Sequence, residues 1–424
     1  MNDVPEPQAV TDNRRAFALY VVTRLREAGF DGLWAGGCVR DILLQQAPTD
    51  YDVATSARPE QVRELFGHRR TLAVGAAFGV IIVLGPNASA GQVEVATFRN
   101  DGGYSDGRRP DSVVFSSAVE DARRRDFTIN GMFYDPVDQR VIDYVGGQDD
   151  LARGLIRAIG DADARIAEDK LRMLRAVRFA ARFGFAIEAA TQAALTRHAS
   201  ELRVVSGERL AGEMHKTLVA GGREAAVRRW AETGLLRVLL PLVADRWTQV
   251  GEEACSLIRL VRPEPWTAAL ASIVWPLVAE QNDCRAFQPL VADLKDRLKL
   301  SNAEAAQLKF ALGEQTLLET SPERLWSEVQ PRLVHPWIDV GLALIEARTR
   351  HGAVDPAVHA WLIKMLERPR EELDPPPLLT GGDLQRLGFH PGPRFKELLD
   401  QLRIAQLDRA IASREQAIVW LEQQ

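Results

Sequence analysis

Along the first thirty residues apolar side chains recur at helical spacing. Phe17, Val21, Leu25 and Ala28 fall on one side of a helix predicted over 13–29. The pattern then changes: Leu33-Trp34-Ala35 is an apolar run ending in Gly36-Gly37, and Val39 to Leu44 resumes helical spacing. Asp50-Tyr51-Asp52 reads as the opening of another strand. Thr55 to Glu60 has the composition of a helix start, with Pro59 near the first helical position. Thr71 to Val74 and Val80 to Leu84 are β-like runs joined by a glycine-bearing link, and Val93 to Arg99 alternates like a half-buried strand. Asn100 to Pro110 is polar and aperiodic with three glycines, which predicts a mobile loop. Val113 to Phe115 and Val141 to Tyr144 read as short strands, and Asp126 to Phe133 as a helix.

From about residue 150 the strand signals fade, and Leu, Ala, Arg and Glu dominate at helical periodicity to the end. The predicted class is therefore α+β: a small mixed β-sheet head over 1–150, then an all-helical remainder. The remainder divides into 151–220, 221–370 and 371–424, with the proline-rich Glu371 to Pro377 as the linker before the last part. Over 221–370 only helix packing is legible. No internal repeat or low-complexity tract is present.

Composition alters this picture little. At 424 residues, with 46% hydrophobic and 26% charged residues, the chain suits a globular protein of several domains. Cys38, Cys255 and Cys284 are far apart and odd in number, which argues against a disulfide framework or zinc site and fits a reducing cytoplasm. Residues 1–13 read as a loose polar tail and not as a signal peptide. No run of eighteen apolar residues predicts a membrane span. A net charge of −5 looks unsuited to a nucleic-acid partner, yet arginines cluster at 108–109, 123–125 and 165–182. A globally acidic chain can carry a basic groove.

Candidate chemistry begins at the glycines. Alternate residues of a strand share a face, so Asp50 and Asp52 would present two carboxylates side by side. Two such groups repel unless a cation lies between them, and hard oxygen ligands favour Mg²⁺. Gly36 and Gly37 leave room for a phosphate to approach the following helix, where Arg40 can add a charge-assisted contact. Glu94, the sole acid in its apolar-alternating run, is the candidate third carboxylate, although a solvated strand face would explain it too. Such a set suits in-line displacement of pyrophosphate by a hydroxyl.

Two arginine-rich stretches complete the set. Arg123-Arg124-Arg125 precedes Asp126, which would cap a helix with Arg125 beside it, an arrangement suited to ribose and phosphate; solvation is the ordinary fate of such a run. Between Ile166 and Arg182, helical spacing would put Asp169, Arg172 and Arg175 on one face, continued by Arg178 and Arg182. A plain i,i+3 salt bridge would account for that stripe. Base chemistry gives a sharper reading. Arg donates and Asp accepts, which matches the pairing edges of cytosine and adenine and mismatches uracil and guanine. The pair predicts a site for CTP and ATP.

In this order and spacing the elements resemble the class II tRNA nucleotidyltransferase and bacterial poly(A) polymerase family over residues 15–220. Gly36 to Asp41 with Asp50-Tyr51-Asp52 is similar to its catalytic motif, Arg124 to Asn130 to its ribose motif, and Glu168 to Arg172 to its base-reading template. Arg175 and Arg178 stand where phosphate would be held. Ser206 to Leu210 resembles the helical element that steadies the template, and Leu378 to Pro393 a tRNA-facing tail. The resemblance implies a head, neck, body and tail shaped like a hook, Mg²⁺ at Asp50 and Asp52 with Glu94 in the catalytic set, and the tRNA 3′ acceptor end as partner. It implies addition of CCA without a nucleic-acid template; the sequence itself, with no long apolar run, predicts no membrane partner, and no protein partner is evident in it.

The loop bearing Arg108 and Arg109 accompanies the switch from C to A in that family and argues against a CC-only enzyme. Addition of the terminal A alone stays open. Val74 to Val80 lacks the basic pair expected of a poly(A) polymerase, and no His-Asp doublet indicates a fused phosphatase. The alternatives are A-adding only, poly(A) synthesis, or non-catalytic RNA binding.

Overall fold

In the computed structural model, which describes residues 7–75, 78–101, 113–280 and 287–423, the first helical pattern forms α1 (Pro7–Glu27). It begins earlier than the apolar spacing predicts: the backbone is already helical from residue 7, where the spacing predicts a loose tail to residue 13, because helical backbone does not require an apolar stripe in its first turns. Phe17, Val21 and Leu25 are buried. Gly32 passes so close to α1 that a Cβ there would lie 3.2 Å from the Val22 carbonyl oxygen.

The chain folds as two compact units, one comprising 1–213 with 229–239 and the other 214–228 with 240–424. The first holds the strands: β1 (Gly32–Ala35), β2 (Asp52–Thr55), β3 (Thr71–Gly75), β4 (Val80–Leu84), β5 (Gln92–Thr97), β6 (Arg99–Asp101), β7 (Val113–Phe115), β8 (Phe133–Asp135) and β9 (Arg140–Ile142). Seven of them join in the order β3-β4-β5-β2-β1-β8-β9, while β6 and β7 pair separately. The sheet is mixed because β2 runs parallel to β5 and antiparallel to β1. Alternation in β5 buries Val93, Val95 and Thr97 and turns Gln92 and Glu94 outward. Leu33, Ala35, Ala54, Phe98, Ala122 and Phe133 form the core beneath.

Helices α2 (Gly37–Leu43) and α3 (Pro59–Phe66) follow β1 and β2, and Pro59 is the first residue of α3. The arginine run ends a helix and does not precede one: α4 (Ala118–Arg123) is capped at its start by Ser117. The helix predicted over 126–133 is replaced by a single 3₁₀ turn at Thr128–Asn130 and then β8. Long-range pairing decides this, since the Thr128 amide donates to the Arg157 carbonyl at 3.0 Å and the Ile159 amide to that of Asp126 at 3.2 Å. These bonds take the place of intrahelical ones.

Beyond the sheet the first unit continues with α5 (Gly147–Ala152), α6 (Ala162–Glu168), α7 (Arg172–Phe183) and α8 (Ala189–His198). It is not wholly helical there, because Leu155–Ile156 pairs in parallel with Ala186–Ile187. Helix α9 (Gly207–Leu218) carries Arg209 in its first turn and Glu213 at its middle. The one helix predicted across 166–182 is two, broken at 169–171 where Asp169 takes extended angles (φ −142°, ψ 105°).

The second unit is helical. Trp266–Ala279 is buried on nearly every side, as its almost unbroken apolar sequence requires. A second cluster gathers Leu318, Val329, Ile345 and Leu362, and a third Leu379, Leu384, Leu402 and Leu421. Among the described residues no helix is long and apolar enough to cross a membrane.

Candidate active site

Register, more than spacing along the chain, assembles the acidic wall. Asp52 is the first residue of β2 and stands between Ala35 on β1 and Glu94 on β5. Gly36 follows Ala35 directly, so the glycine turn lies next to Asp52. Asp50 precedes the strand instead of belonging to it. Gly36 has φ 73°, and a Cβ there would lie 3.1 Å from Arg125 Nη1, so both conformation and space favour glycine. Asp52 touches solvent at the mouth of the site, yet its carboxyl is pushed up to about 6. Desolvation is the largest cause, followed by the charges of Glu94 and Asp50, with Arg125 opposing. Cys38 beneath it is pushed up to about 12, by burial first and then by Asp52, and stays a thiol.

Three crowded acids favour a cation. Among the described residues no group of three or more acid, histidine or cysteine side chains is arranged to hold a metal ion by itself. Mg²⁺ ordinarily takes one or two carboxylates and completes its shell with water and substrate phosphate, so this donor chemistry fits.

The facing wall is built of paired arginines. Asp121, buried, accepts from Arg124 at 2.6 Å and from Arg125 at 3.0 Å. Burial would raise its pKa, but the two guanidinium groups outweigh that and hold it below the usual range. Asp126 is likewise held low: against burial stand Arg175, whose Nη2 donates at 2.5 Å, the Asn130 amide at 3.1 Å and the Phe127 amide. Asn130 in turn accepts from Arg40 Nη1 at 2.6 Å. Arg175, Asp126, Asn130 and Arg40 thus form one chain, buried except at Arg175, which is partly exposed at the cavity.

The structure re-pairs several predicted groups. Arg125 engages Asp121 and not Asp126, because just past the end of α4 its side chain reaches back to Asp121, four residues earlier, while Asp126 is taken by Arg175. Arg40 is buried, tied to Asp41 and Asn130, with its guanidinium 4.7 Å from the Phe183 ring. Arg172 bonds Glu168 at 2.8 Å and the carbonyls of Arg165 and Arg124, and not Asp169, since the break at 169–171 removes the shared face. Asp169 is held instead by Arg209 Nη2, at 3.0 and 3.1 Å to its two oxygens. Arg178 is buried against Glu213 at 2.8 Å.

A cavity of about 510 Å³ collects Gly36, Gly37, Arg40, Asp50, Asp52, Arg125, Asp126, Asp169, Arg172, Arg175 and Arg178. Glu94 is outside its lining, and Arg108 and Arg109 lie outside the described residues. Cavities of about 520 and 590 Å³ exist elsewhere, so chemistry and not volume marks this one. Arg99, Arg124, Asn130, Phe179 and Arg182 also line it. Residues 172, 175, 179 and 182 repeat at three and four, a helical stripe that was available in the sequence; Arg178 lies at its edge.

An acid pair at the start of a central strand, beside a glycine turn and opposite an arginine-lined helix, is the arrangement of a nucleotidyltransferase. Comparison with known proteins agrees. Residues 33–157 match the Poly A polymerase head domain, and 184–246 match the "Probable RNA and SrmB-binding site of polymerase A". The CCA-adding enzyme of Limosilactobacillus fermentum is 33% identical over 409 residues, covering 94% of each chain. That of Geobacillus stearothermophilus is 33% identical over 95% of this chain and 96% of its own. The solved Bacillus stearothermophilus CCA-adding enzyme in complex with CTP superposes with a TM-score of 0.75 at 30% identity, covering 96% of both chains. The chain belongs to the tRNA nucleotidyltransferase and poly(A) polymerase family, whose members are in general metal-dependent.

Proposed function

We propose that this protein is a CCA-adding tRNA nucleotidyltransferase that extends the tRNA 3′ end from CTP and ATP and releases pyrophosphate. The observation that carries the reading is the single cavity in which an acid pair faces Asp169, Arg172 and Arg175. Relatives matched over nearly their whole length are CCA-adding enzymes, and a tRNA substrate with cytoplasmic nucleotides supports a cytoplasmic location for this reading.

In this reading Asp50 and Asp52 hold Mg²⁺, with Glu94 beside them in the sheet. Bound there, the metal supplies charge neutralisation for pyrophosphate and acidifies the attacking 3′-hydroxyl. Gly36 and Gly37 leave space for the triphosphate, and Arg175 faces it, oriented by Asp126. Arg125, fixed by Asp121, faces the ribose side. Arg40 supports Asn130 and Asp126 from behind, and Arg178 anchors α7 through Glu213. Asp169 and Arg172 satisfy the edges of cytosine and adenine, and Arg172 must exchange part of its contact with Glu168 for the base. Uracil or guanine would leave buried groups unpaired.

One observation favours a second reading, poly(A) synthesis. Poly(A) polymerase I of Salmonella typhi is 41% identical over 253 residues, but the match covers 57% of this chain and 53% of that protein. Supplying tRNA ending before CCA, before CA or before A, with labelled CTP or ATP, separates the readings. CMP enters the first two substrates and one AMP the third. Absence of CMP incorporation would leave A addition alone, and a long A tract would establish poly(A) synthesis. Arg172→Ala lowers the preference for CTP over UTP about tenfold or more. Unchanged selectivity in the remaining activity would refute the role of Arg172.

A further inference from the structure

The break between α6 and α7 is only three residues long, and it carries the base-facing groups. Its outer side is tied to one corner of the fold. Lys170 Nζ meets Glu201 Oε2 at 2.7 Å, and Glu201 Oε1 meets His198 Nδ1 at 2.6 Å. His198 Nε2 meets Asp163 Oδ1 at 2.9 Å, and Arg197 holds the same carboxylate at 2.6 Å. Asp163 lies in the first turn of α6 and Lys170 lies two residues beyond its last residue, Glu168. Helix α6 is therefore pinned at both ends to the corner where α8 passes into the 3₁₀ turn Ala199–Val204.

Exposed ion pairs of this kind ordinarily contribute little. Lys170 is different, because its side chain is only 13% exposed and its nearest charge partner is Glu201. The turn it braces is also sensitive. The Leu171 amide donates to Asp169 Oδ1 at 3.0 Å, and the Arg172 amide to the Asp169 carbonyl at 3.0 Å. Any shift of the turn moves the acceptor and the donor of the reading pair together. Recognition of this kind tolerates displacements of about 0.5 Å.

We propose that the Lys170–Glu201–His198–Asp163 chain is a positioning brace, setting the turn that carries Asp169 and Arg172 and with it the discrimination of C and A from U and G. The proposal rests on the base-reading role given to that pair above. None of the four brace residues lines the cavity, so they act only through the turn.

Glu201→Gln keeps the shape of the side chain and leaves the Lys170 charge without its partner. Lys170→Met removes the charge itself and retains most of the packing. Steady-state kinetics with CTP and UTP on tRNA ending before CCA read the effect. For both variants the KM for CTP rises and the CTP-over-UTP preference falls about tenfold, while kcat stays within about threefold. Lys170→Arg, which keeps the pair, retains the preference within about threefold. Wild-type preference in Lys170→Met with an unchanged melting temperature overturns the brace, and this variant decides the matter if Glu201→Gln does not fold. Arg172→Ala run beside them separates the two claims. If Arg172→Ala loses discrimination and the brace variants keep it, the brace alone falls; if Arg172→Ala keeps discrimination, the reading beneath the brace falls and takes the brace with it.

Discussion

The two units treat buried charge in opposite ways. In the first, Arg40, Asp41, Asp121, Asp126, Arg172, Arg178 and Glu213 are all buried, and most belong to paired networks at the cavity. In the second, only Arg348 and Asp383 are buried charged residues among those described, and the interior is Leu, Ile, Val, Ala and Trp. Burying ions is costly unless each is paired and hydrogen-bonded, and apolar packing of equal volume is often at least as stabilising. A fold spends stability on such networks where it needs charged groups fixed in place. In the proposed reading the chemistry belongs to the first unit, with its buried paired charges, while the second is built on apolar packing.

The largest effect expected from this contrast is on activity without stability. Asp52→Asn should lower incorporation by about 10³-fold, while the melting temperature stays the same or rises. The reason is that Asp52 is crowded by Glu94 and Asp50, whose charges help raise its pKa, so removing its charge relieves repulsion. A fall of several degrees in the melting temperature would show that Asp52 is structural.

Leu344→Ala tests the opposite case in the second unit. Leu344 is fully buried in the helix Ile338–His351, and truncation should cost about 3 kcal/mol by chemical denaturation. The ratio of CTP to UTP incorporation should not change; a changed ratio would mean that the apolar core takes part in selection.

Asp126→Asn cuts across both cases, lowering stability by about 2 kcal/mol and activity as well, because Arg175 loses its counter-charge. A pH titration of unfolding checks the same group. Asp126 and Asp121 have folded pKa values below the ordinary 3.8. Their contribution is complete above the unfolded value and is lost as pH falls through the folded ones. Denaturation midpoints should therefore drop below about pH 4 in the wild type, and less steeply in Asp126→Asn. Equal slopes would show that the Arg175 pair contributes nothing to acid stability.

Much of this was legible from residue order. A short β-branched apolar run marks Val80 to Leu84, and period-two alternation marks the strand around Glu94, because a half-buried strand must alternate. Glycines beside an apolar run gave the turn at Gly36, and Pro59 gave a helix start. The two misread helices share one cause. The helix expected at 126–133 and the unbroken helix over 166–182 were judged by local spacing, whereas pairing with Arg157 and Ile159 and the grip of Arg209 on Asp169 come from residues distant in sequence. Arg125 and Arg172 differ from this: each pairs with an acid four residues back, Asp121 and Glu168, so their partners are local and only the choice among nearby acids departs from the spacing.

The sequence by itself determined which groups exist to do chemistry: an acid pair after a glycine turn, an arginine-rich helix, and an Asp and an Arg able to read a base edge. Local chain geometry is enough for that, since periodicity and side-chain type are properties of short segments. Tertiary structure alone decided which charge neutralises which. It set Glu94 beside Asp52 through strand register, gave Asp126 to Arg175 and Asp169 to Arg209, and tied the turn at 169–171 to Glu201 through Lys170. The physical reason is that a buried charge must find a counter-charge wherever the fold supplies one, and sequence separation does not enter that requirement.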